Sequence, residues 1–304
     1  MKFSRRTFLQ SASVSLGATF LDLRSYSQAD LEQTFAEIRA NLLEMVNEER
    51  EVAKVPAVAM DEFATQVATK HAVDMATGQF ASHWGRDGLK PYHRYSFAGG
   101  TDATQENISA ADNTWSGKVR DLKQDTAYLH VRLYQEAPPY DRPRKVILGP
   151  HHTHVGFGIA VDESRLRMVE LFVAKYVKLR PVKRSAKPGS QLFISGKILD
   201  HRYEVSHVEV CYEPLPQAPE LSWLRQFRSY SLPRDCAVLQ KRVPPPFTYS
   251  DPNRGVIDIL PSGSFSYPVK LFRHEPGIYT VIVWIKRERT DNAFPASEVC
   301  IRAE

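Results

Sequence analysis

The sequence is short of cysteine and of long hydrophobic runs, and each shortage excludes a class of protein. Only three of the 304 residues are cysteines, and all of them lie in the last third of the chain: Cys211, Cys236 and Cys300. An odd number leaves at least one thiol unpaired, so a domain held together mainly by disulfides is excluded. After residue 29, no stretch approaches the roughly 20 apolar residues that a membrane-spanning helix needs. We therefore expect no integral membrane span in that part of the chain.

The three cysteines leave two interpretations open. A Cys211–Cys300 bridge would form if the strands that carry these residues pair. The alternative is that the cysteines are small buried hydrophobic side chains.

Signatures of several enzyme classes are also missing. There is no Gly-x-Ser-x-Gly nucleophile motif, no phosphate-binding loop and no dinucleotide fingerprint. Nothing in the sequence indicates a bound cofactor.

Excess charge of one sign is nearly absent once the N-terminal segment is set aside. The formal net charge is +5. The first 29 residues contribute +3 of it, so a chain cut after Ala29 would carry +2. A nucleic-acid partner is therefore not expected, and the short basic run at 180–184 is interpreted as a solvated linker.

The N-terminus carries an export motif. Arg5 and Arg6 are followed by Phe8 and Leu9, a pattern typical of the twin-arginine export signal. A moderately apolar stretch at 11–23 follows, and Ser27-Gln28-Ala29 offers small residues for a peptidase cut. We predict a signal peptide over 1–29 and a periplasmic or extracellular location, the alternative being a basic N-terminus that runs into a helix.

The first half of the remaining chain has helices followed by strands. Apolar residues recur at steps of three and four after Asp30, a candidate N-cap, and again after Asp61. The predicted helices span 30–50, from Asp61 to Gly78, and 118–136, and two strands span 153–161 and 167–177. This order predicts an α+β domain with helices packed on a sheet.

The second half shows only strand signals, after a stretch rich in Lys, Arg, Pro and Gly. We predict a first domain over 30–180, a linker over 181–190 and a second domain over 191–304. The predicted strands are 191–199, 205–212, 255–260, 264–271, 278–286 and 298–303, with a proline-rich excursion at 214–249. Short strands of this kind are typical of an immunoglobulin-like β-sandwich.

Six blocks of the first domain occur in the order known from one protein family. They lie at 43–50, at 71–83, at 87–94, at 105–108, at 138–150 and at 154–158. The chain resembles the CAP superfamily (cysteine-rich secretory protein, antigen 5, pathogenesis-related 1; also called SCP-like) of bacterial type over these blocks, which is under half of its length. The resemblance implies an α/β/α sandwich with a surface cleft.

The resemblance also implies which residues face the cleft. In the family, two histidines and one or two glutamates do so and sometimes hold a divalent metal. His83 matches the first histidine and Glu106 one glutamate, but Pro143 stands where the second histidine is expected. Since zinc needs three or four protein donors, we expect no metal site, with a divalent metal as the less favoured alternative.

Further residues are candidates for the same cleft: His71, Asn107 and His154. The neighbouring run His151-His152-Thr153-His154 suggests a metal cluster, although packing at the start of a strand is the favoured interpretation. His83 and Glu106 could form a catalytic acid–base pair; the favoured alternative is a structural hydrogen bond.

The favoured function is therefore a non-enzymatic binding module for a lipid, a glycan or an envelope protein, acting through the degenerate cleft, the β-sandwich or both. The alternative is a metal-assisted, peptidase-like hydrolase that uses His83 and Glu106. In a third interpretation the first domain is a rigid spacer and only the sandwich binds. Aromatic residues of the second domain could stack on sugars or on a partner, although most are expected in its core: Tyr212, Trp223, Phe227, Tyr230, Phe247 and Tyr249.

Overall fold

A computed structural model of the protein describes residues 28–112, 121–162, 165–248, 255–260, 262–287 and 291–304. The twin-arginine motif lies outside the described residues, and so does the predicted helix start at 118. No helix in the described ranges is long and apolar enough to span a membrane.

Within the described residues, the first unit of the chain has five helices and four strands. The helices are α1 (Gln28–Val52), α2 (Glu62–Gly78), α3 (Pro91–Phe97), α4 (Leu122–Gln135) and α5 (Arg142–Ile147). The strands are β1 (Ala59–Met60), β2 (Ala103–Asp112), β3 (His154–Asp162) and β4 (Arg165–Ala174), hydrogen-bonded in the order β1-β3-β4-β2.

Helix α2 begins and ends where local chemistry places its caps. The carboxylate of Asp61 accepts a hydrogen bond from the Ala64 amide at 2.9 Å, which satisfies one of the free N–H groups of the first turn. Gln79, at φ 58°, closes the C-terminus in the left-handed conformation. Helix α1 differs from the prediction, because it begins at Gln28 and Asp30 therefore lies in its first turn rather than at the N-cap.

Helices cover both faces of the four-stranded sheet because the side chains of β3 alternate in size. Val155, Phe157 and Ile159 pack on one face against α1 and α4. On the other face, Gly156 and Gly158 leave room for α2, since an added Cβ would lie 2.2 Å from the Thr65 nitrogen and 2.1 Å from the Ala68 carbonyl carbon. The first unit is thus a mixed α+β fold with the sheet between two helical layers.

The second unit, in the part that the structure describes, is a nine-stranded sheet. Its strands are β5 (Val177–Leu179), β6 (Ser185–Ala186), β7 (Gln191–Ile198), β8 (Glu204–Pro214), β9 (Asp235–Lys241), β10 (Val256–Ile259), β11 (Ser264–Lys270), β12 (Gly277–Lys286) and β13 (Phe294–Ala303), and one short helix, α6 (Leu221–Leu224), precedes β9. The order is β5-β7-β11-β10-β9-β8-β12-β13-β6. Strands from both halves of this order, β7 and β11 on one side and β8, β12 and β13 on the other, contribute to one hydrophobic core.

Several strands differ from the prediction. The predicted strand 167–177 is divided, because β4 ends at Ala174 and Val177 belongs to β5 of the other sheet. The proline-rich excursion contains β9, which pairs with β8. The short strand β6 lies within the residues predicted as a linker and pairs with β13. The predicted domain boundaries themselves stay a prediction.

The disulfide joins Cys211 to Cys236, and Cys300 is a buried free thiol. The alternative Cys211–Cys300 bridge is wrong because β12 lies between β8 and β13, so both cysteines have Thr280 as their cross-strand neighbour. Cys236 instead lies directly opposite Cys211 on β9.

Strand β13 attaches the second unit to the first. The Cys300 amide donates to Ser96 Oγ at 2.7 Å, and Ser297 Oγ donates to the Thr101 carbonyl at 2.5 Å. Arg184 donates to Ser96 Oγ and to the Gly100 carbonyl. The two units therefore share a hydrogen-bonded junction.

Candidate functional site

The structure brings His83 and Glu106 together. His83 lies in the loop after α2, and Glu106 lies on β2. Nδ1 of His83 donates to Oε1 of Glu106 at 2.9 Å. The second carboxylate oxygen, Oε2, accepts from Nη2 of Arg94 on α3 at 2.6 Å. Arg94 also donates to the His83 carbonyl at 2.7 Å, so the three residues form one connected group.

The charge of Glu106 is compensated inside this group. Burial alone would raise its pKa, but the nearby Arg94 guanidinium and the hydrogen bond from His83 outweigh burial and lower the pKa of Glu106 to about 2. Glu106 is therefore ionised at neutral pH, with both carboxylate oxygens already bonded. A general acid must donate a proton and a general base must accept one from the substrate. An ionised carboxylate with a strongly lowered pKa and both oxygens already hydrogen-bonded is poorly suited to either role.

Tyr230 of the second unit fills the space in front of the pair. Its hydroxyl oxygen accepts the Glu106 backbone N–H at 3.0 Å. Its ring packs edge-on against the His83 ring, with centroids 4.8 Å apart. Arg142 lies over the same ring and donates to the Tyr230 carbonyl at 2.8 Å. Tyr230 is only 9% exposed, so the cleft that the sequence predicts is occupied by the chain itself.

Tyr230 belongs to a segment that we call the crossing segment, residues 215–234 between β8 and β9. Trp223 on α6 packs edge-on against Trp84, at 5.2 Å between ring centroids. Arg225 donates to the Gln79 carbonyl at 3.0 Å. The segment thus runs along the loop that carries His83.

An acidic residue at the base of the crossing segment strengthens the attachment. Glu213 is hydrogen-bonded to Lys90, to His93 Nε2 at 2.9 Å and to the Tyr92 hydroxyl at 3.0 Å. Burial alone would raise the pKa of Glu213, but the bonds from His93 and Lys90 outweigh it and lower the pKa to about 2. A compensated, ionised carboxylate therefore ties β8 to α3.

Gly88 permits the closest approach of the crossing segment. Its φ is +77°, a region that side-chain-bearing residues rarely adopt. An added Cβ would lie 2.4 Å from the Gln217 carbonyl oxygen. A glycine is required here for both conformation and space.

His71 and His154 occupy different places from the pair. His71 is buried and its Nε2 is hydrogen-bonded to the Ser82 carbonyl at 2.8 Å, which holds the start of the His83 loop. Burial and then the Arg94 guanidinium lower the pKa of His71 to about 4. His154 lies on β3, separated from β2 by β4, and its Nδ1 contacts Thr153 Oγ1 at 2.9 Å. The structure therefore places His71 against the start of the His83 loop, at a pocket that Asp74 and Arg94 also line, and does not bring His154 to the pair.

Asn107 also faces away from the cleft, because neighbouring residues of a strand point to opposite faces of the sheet. Its amide donates to Glu170 Oε2 at 3.1 Å and to the Pro143 carbonyl at 3.1 Å. Glu170 in turn is bonded to His130 Nδ1 at 2.6 Å, and His130 Nε2 to Glu49 at 3.1 Å. Asn107 is part of this second buried polar network.

The second network holds a charged histidine inside the fold. Burial alone would lower the pKa of His130, but Glu170 and Glu49 outweigh it and raise the pKa to about 10. The network connects α1, α4, β2 and β4. Its burial and full pairing indicate a structural role.

The residues around His83 do not fit a divalent metal. The Arg94 guanidinium lies where a cation would have to approach Glu106 Oε2, and Pro143 contributes only a carbonyl, which accepts from Asn107. Across the ranges that the structure describes, three or more potential donor side chains converge only at Glu209, Cys211 and Cys236, where the two cysteines are disulfide-bonded. We therefore derive no chemistry through a metal at this site.

Several residues of the site were missed from the sequence. Arg94 lies in a block that the family resemblance covers, and its cationic side chain near Glu106 was a usable signal. Alternation along β2 would have separated Asn107 from Glu106. Tyr230 gave no signal, because its contact with Glu106 joins residues 124 positions apart.

One protein-family model matches most of the first unit. The model of the cysteine-rich secretory protein (CAP) family matches residues 43–176. No curated protein sequence matches the chain.

Solved structures of low sequence identity resemble parts of the chain. An outer surface protein of Borrelia burgdorferi is 14% identical, with 44% of this chain and 90% of that chain covered and a TM-score of 0.35. An extracellular SCP-domain protein of Bacillus anthracis is 18% identical, with 56% and 50% covered and a TM-score of 0.38. The CAP domain of enterococcal PrgA is 10% identical, with 57% and 71% covered and a TM-score of 0.33.

Proposed function

We propose, from the premise that residues 43–176 are a CAP domain, that this protein is a non-enzymatic binding protein whose ligand binds to the second unit. The observation that carries the proposal is Tyr230, which fills the space in front of His83 and Glu106. A substrate would have to displace a buried aromatic ring and its hydrogen bond to reach either residue. The CAP domain then acts as a platform that holds the second unit in place.

In this proposal, the nine-stranded unit carries the surface that binds the ligand. Both halves of its strand order contribute to one core, and we propose that it is a β-sandwich of immunoglobulin type. A crystal structure in which β7 and β11 pack face to face with β8 and β12 checks this, and a flat, single-layered sheet would contradict it.

We also propose that the protein works in the periplasm or outside the cell. The twin-arginine motif at Arg5 and Arg6 and the Cys211–Cys236 disulfide support this, since disulfides persist in oxidising compartments. Replacing both arginines with lysine should retain the protein in the cytoplasm of the expressing bacterium. Equal amounts of both forms in the periplasmic fraction would contradict export by this route.

The binding proposal is tested against the hydrolase alternative with the same purified chain. Peptide, ester and glycoside substrates are incubated with the wild type, with His83→Ala and with Glu106→Gln. We expect no turnover above background in any of the three. Turnover by the wild type that both variants lose, or stoichiometric zinc that His83→Ala loses, would establish the alternative.

A further inference from the structure

A groove crosses the outer face of the second unit, on the side of β5, β7, β10 and β11 that points away from the core. It encloses about 750 Å³. Its cations come from two strands: Lys178 on β5, Arg180 just after it and Lys197 on β7. Nothing in the CAP cleft contributes to this groove, so it is a separate feature of the molecule.

The cations of the groove are placed against each other. Lys178 and Lys197 are direct cross-strand partners. Two residues further along the same two strands, the Arg180 amide donates a hydrogen bond to the Ser195 carbonyl. Like charges directly opposite on a sheet destabilise it. In the described ranges no carboxylate pairs with any of the three, and the acid of the groove, Asp258, is bonded to Arg242 at 2.9 Å.

Protection of a sheet edge accounts for only one of these lysines. Strand β5 is at the end of the strand order, and lysine on an edge strand discourages pairing with other chains. Lys197, however, lies one strand further in. An unfavourable local arrangement that the fold does not require is characteristic of functional sites.

Three small hydroxyl side chains lie between the cations and Asp258, within a lining that is otherwise largely apolar. Ser195 on β7 is paired with Ser266 on β11, and Ser264 is paired with Lys197. Short side chains leave the groove concave, and hydroxyls can both donate and accept hydrogen bonds. A lining that combines hydroxyl groups with apolar surface suits a sugar, which has hydroxyl groups at its edge and apolar C–H faces.

Three apolar side chains border the same face. Phe193 is 72% exposed, Leu199 58% and Leu260 60%. Phe193 lies two residues before Ser195 on β7 and therefore points to the same side. An exposed aromatic ring beside hydroxyl groups can pack on the apolar face of a sugar ring.

We propose that this groove binds an anionic glycan, that is, a sugar chain carrying carboxylate or phosphate groups. The anionic groups would lie between Lys178, Arg180 and Lys197, which are spaced about 5–7 Å apart by strand geometry. Sugar hydroxyls would meet the three serine side chains. The inference rests on the proposed binding function and names its ligand class and its site.

The test measures binding of the full chain by titration calorimetry. The probes are polygalacturonate for carboxylate, a phosphorylated mannan for phosphate and neutral dextran as the uncharged control. We expect binding to at least one anionic polymer, none to dextran, and a loss of at least tenfold in the double variant Lys178→Thr/Lys197→Thr. The matched control Lys187→Thr removes an exposed lysine near the other end of β7 and should change affinity less than twofold.

A second readout separates a binding site from a structural one. Because the two lysines repel each other, Lys197→Thr should raise the melting temperature by about 1–3 °C while it weakens binding. A fall in both quantities would contradict the proposal, because the lysine would then be supporting the fold.

Other outcomes also overturn the inference. Binding that is equal in the double variant and in Lys187→Thr would show attraction by overall charge only. Binding to anionic phosphatidylglycerol vesicles but to neither polymer would assign the face to a lipid surface. Each of these results leaves the proposed function intact, whereas hydrolysis lost in His83→Ala would end the proposed function without reference to the groove.

Discussion

The charged groups of the cleft around His83 are paired and buried, whereas the cations of the groove on the second unit are exposed and, among the described residues, unpaired. In the cleft, Glu106 has a bond to each carboxylate oxygen and Tyr230 excludes solvent from the pair. In the groove, Lys178 and Lys197 face each other across two strands and face solvent. Compensated and covered charges hold a structure together, whereas uncompensated and accessible charges remain available for a ligand. This difference supports the proposal that the binding surface lies on the second unit.

The largest loss of stability is expected when the cation that compensates the charge of Glu106 is removed. Arg94→Ala leaves the buried Glu106 carboxylate without its cation and should lower the free energy of unfolding by about 3–5 kcal/mol. Denaturant unfolding measures this. The control Arg86→Ala breaks an exposed pair with Asp74 and should cost less than about 1 kcal/mol. Equal effects would show that the Glu106 group contributes no more than a surface ion pair.

The next largest loss of stability is expected from removing Tyr230, the residue that fills the cleft. Tyr230→Ala should lower the free energy of unfolding by about 3 kcal/mol, because a buried ring and its hydrogen bond are lost. Phe227→Ala in the same segment removes an aromatic ring that is 75% exposed and should change stability by less than about 0.5 kcal/mol. Similar costs for both would contradict the burial of Tyr230 against His83 and Glu106.

The junction between the units should also depend on pH through Glu298 on β13. Glu298 is buried and accepts from the Thr104 amide at 3.0 Å. Burial outweighs the bonds from Thr104 and raises the pKa of Glu298 to about 7. When the pKa of an acid is higher in the folded state than in the unfolded state, the folded protein loses stability as the pH rises from the unfolded-state pKa to the folded-state pKa. The loss attributable to Glu298 therefore develops between about pH 4.5 and pH 7.

Glu298→Gln removes that charge and keeps the acceptor. We expect the variant to be about 1–3 kcal/mol more stable than the wild type at pH 8 and nearly equal to it at pH 4.5. Denaturant unfolding at both pH values measures the difference. A constant difference across this range would mean that Glu298 does not titrate at the junction.

A smaller effect tests the path of the crossing segment. Gly88→Ala should cost about 2 kcal/mol, because the new Cβ meets both an unfavourable φ and the Gln217 carbonyl. Gly263→Ala has nearly the same φ, +75°, but within the described residues its added Cβ would meet only the Ile198 Cβ at 4.0 Å, so it should cost only about 1 kcal/mol. If Gly263→Ala were the more costly of the two, the close approach at Gln217 would be refuted.

Elements with local signals could be predicted from the sequence. The cap at Asp61 and the periodic apolar residues placed α2 correctly, and alternation placed β12 within one residue. The CAP blocks similarly predicted the mixed fold of the first unit, because each block combines local chemistry with its order along the chain.

What depends on strand pairing and on the junction could not be predicted. Strand β9 lies among prolines and is defined by its pairing with β8. The correct disulfide depends on β12 lying between β8 and β13. Tyr230 reaches the cleft only after both units have folded, so no local pattern marks it.

The most direct test of the filled cleft is the accessibility of the His83 ring. Diethylpyrocarbonate labelling followed by mass spectrometry compares His83, whose side chain is 11% exposed, with the exposed His201 of the same molecule. We predict that His83 is modified at least tenfold more slowly than His201 in the wild type, and that Tyr230→Ala brings the two rates close together. Equal rates in the wild type would contradict the account, since they would mean that Tyr230 does not cover the cleft.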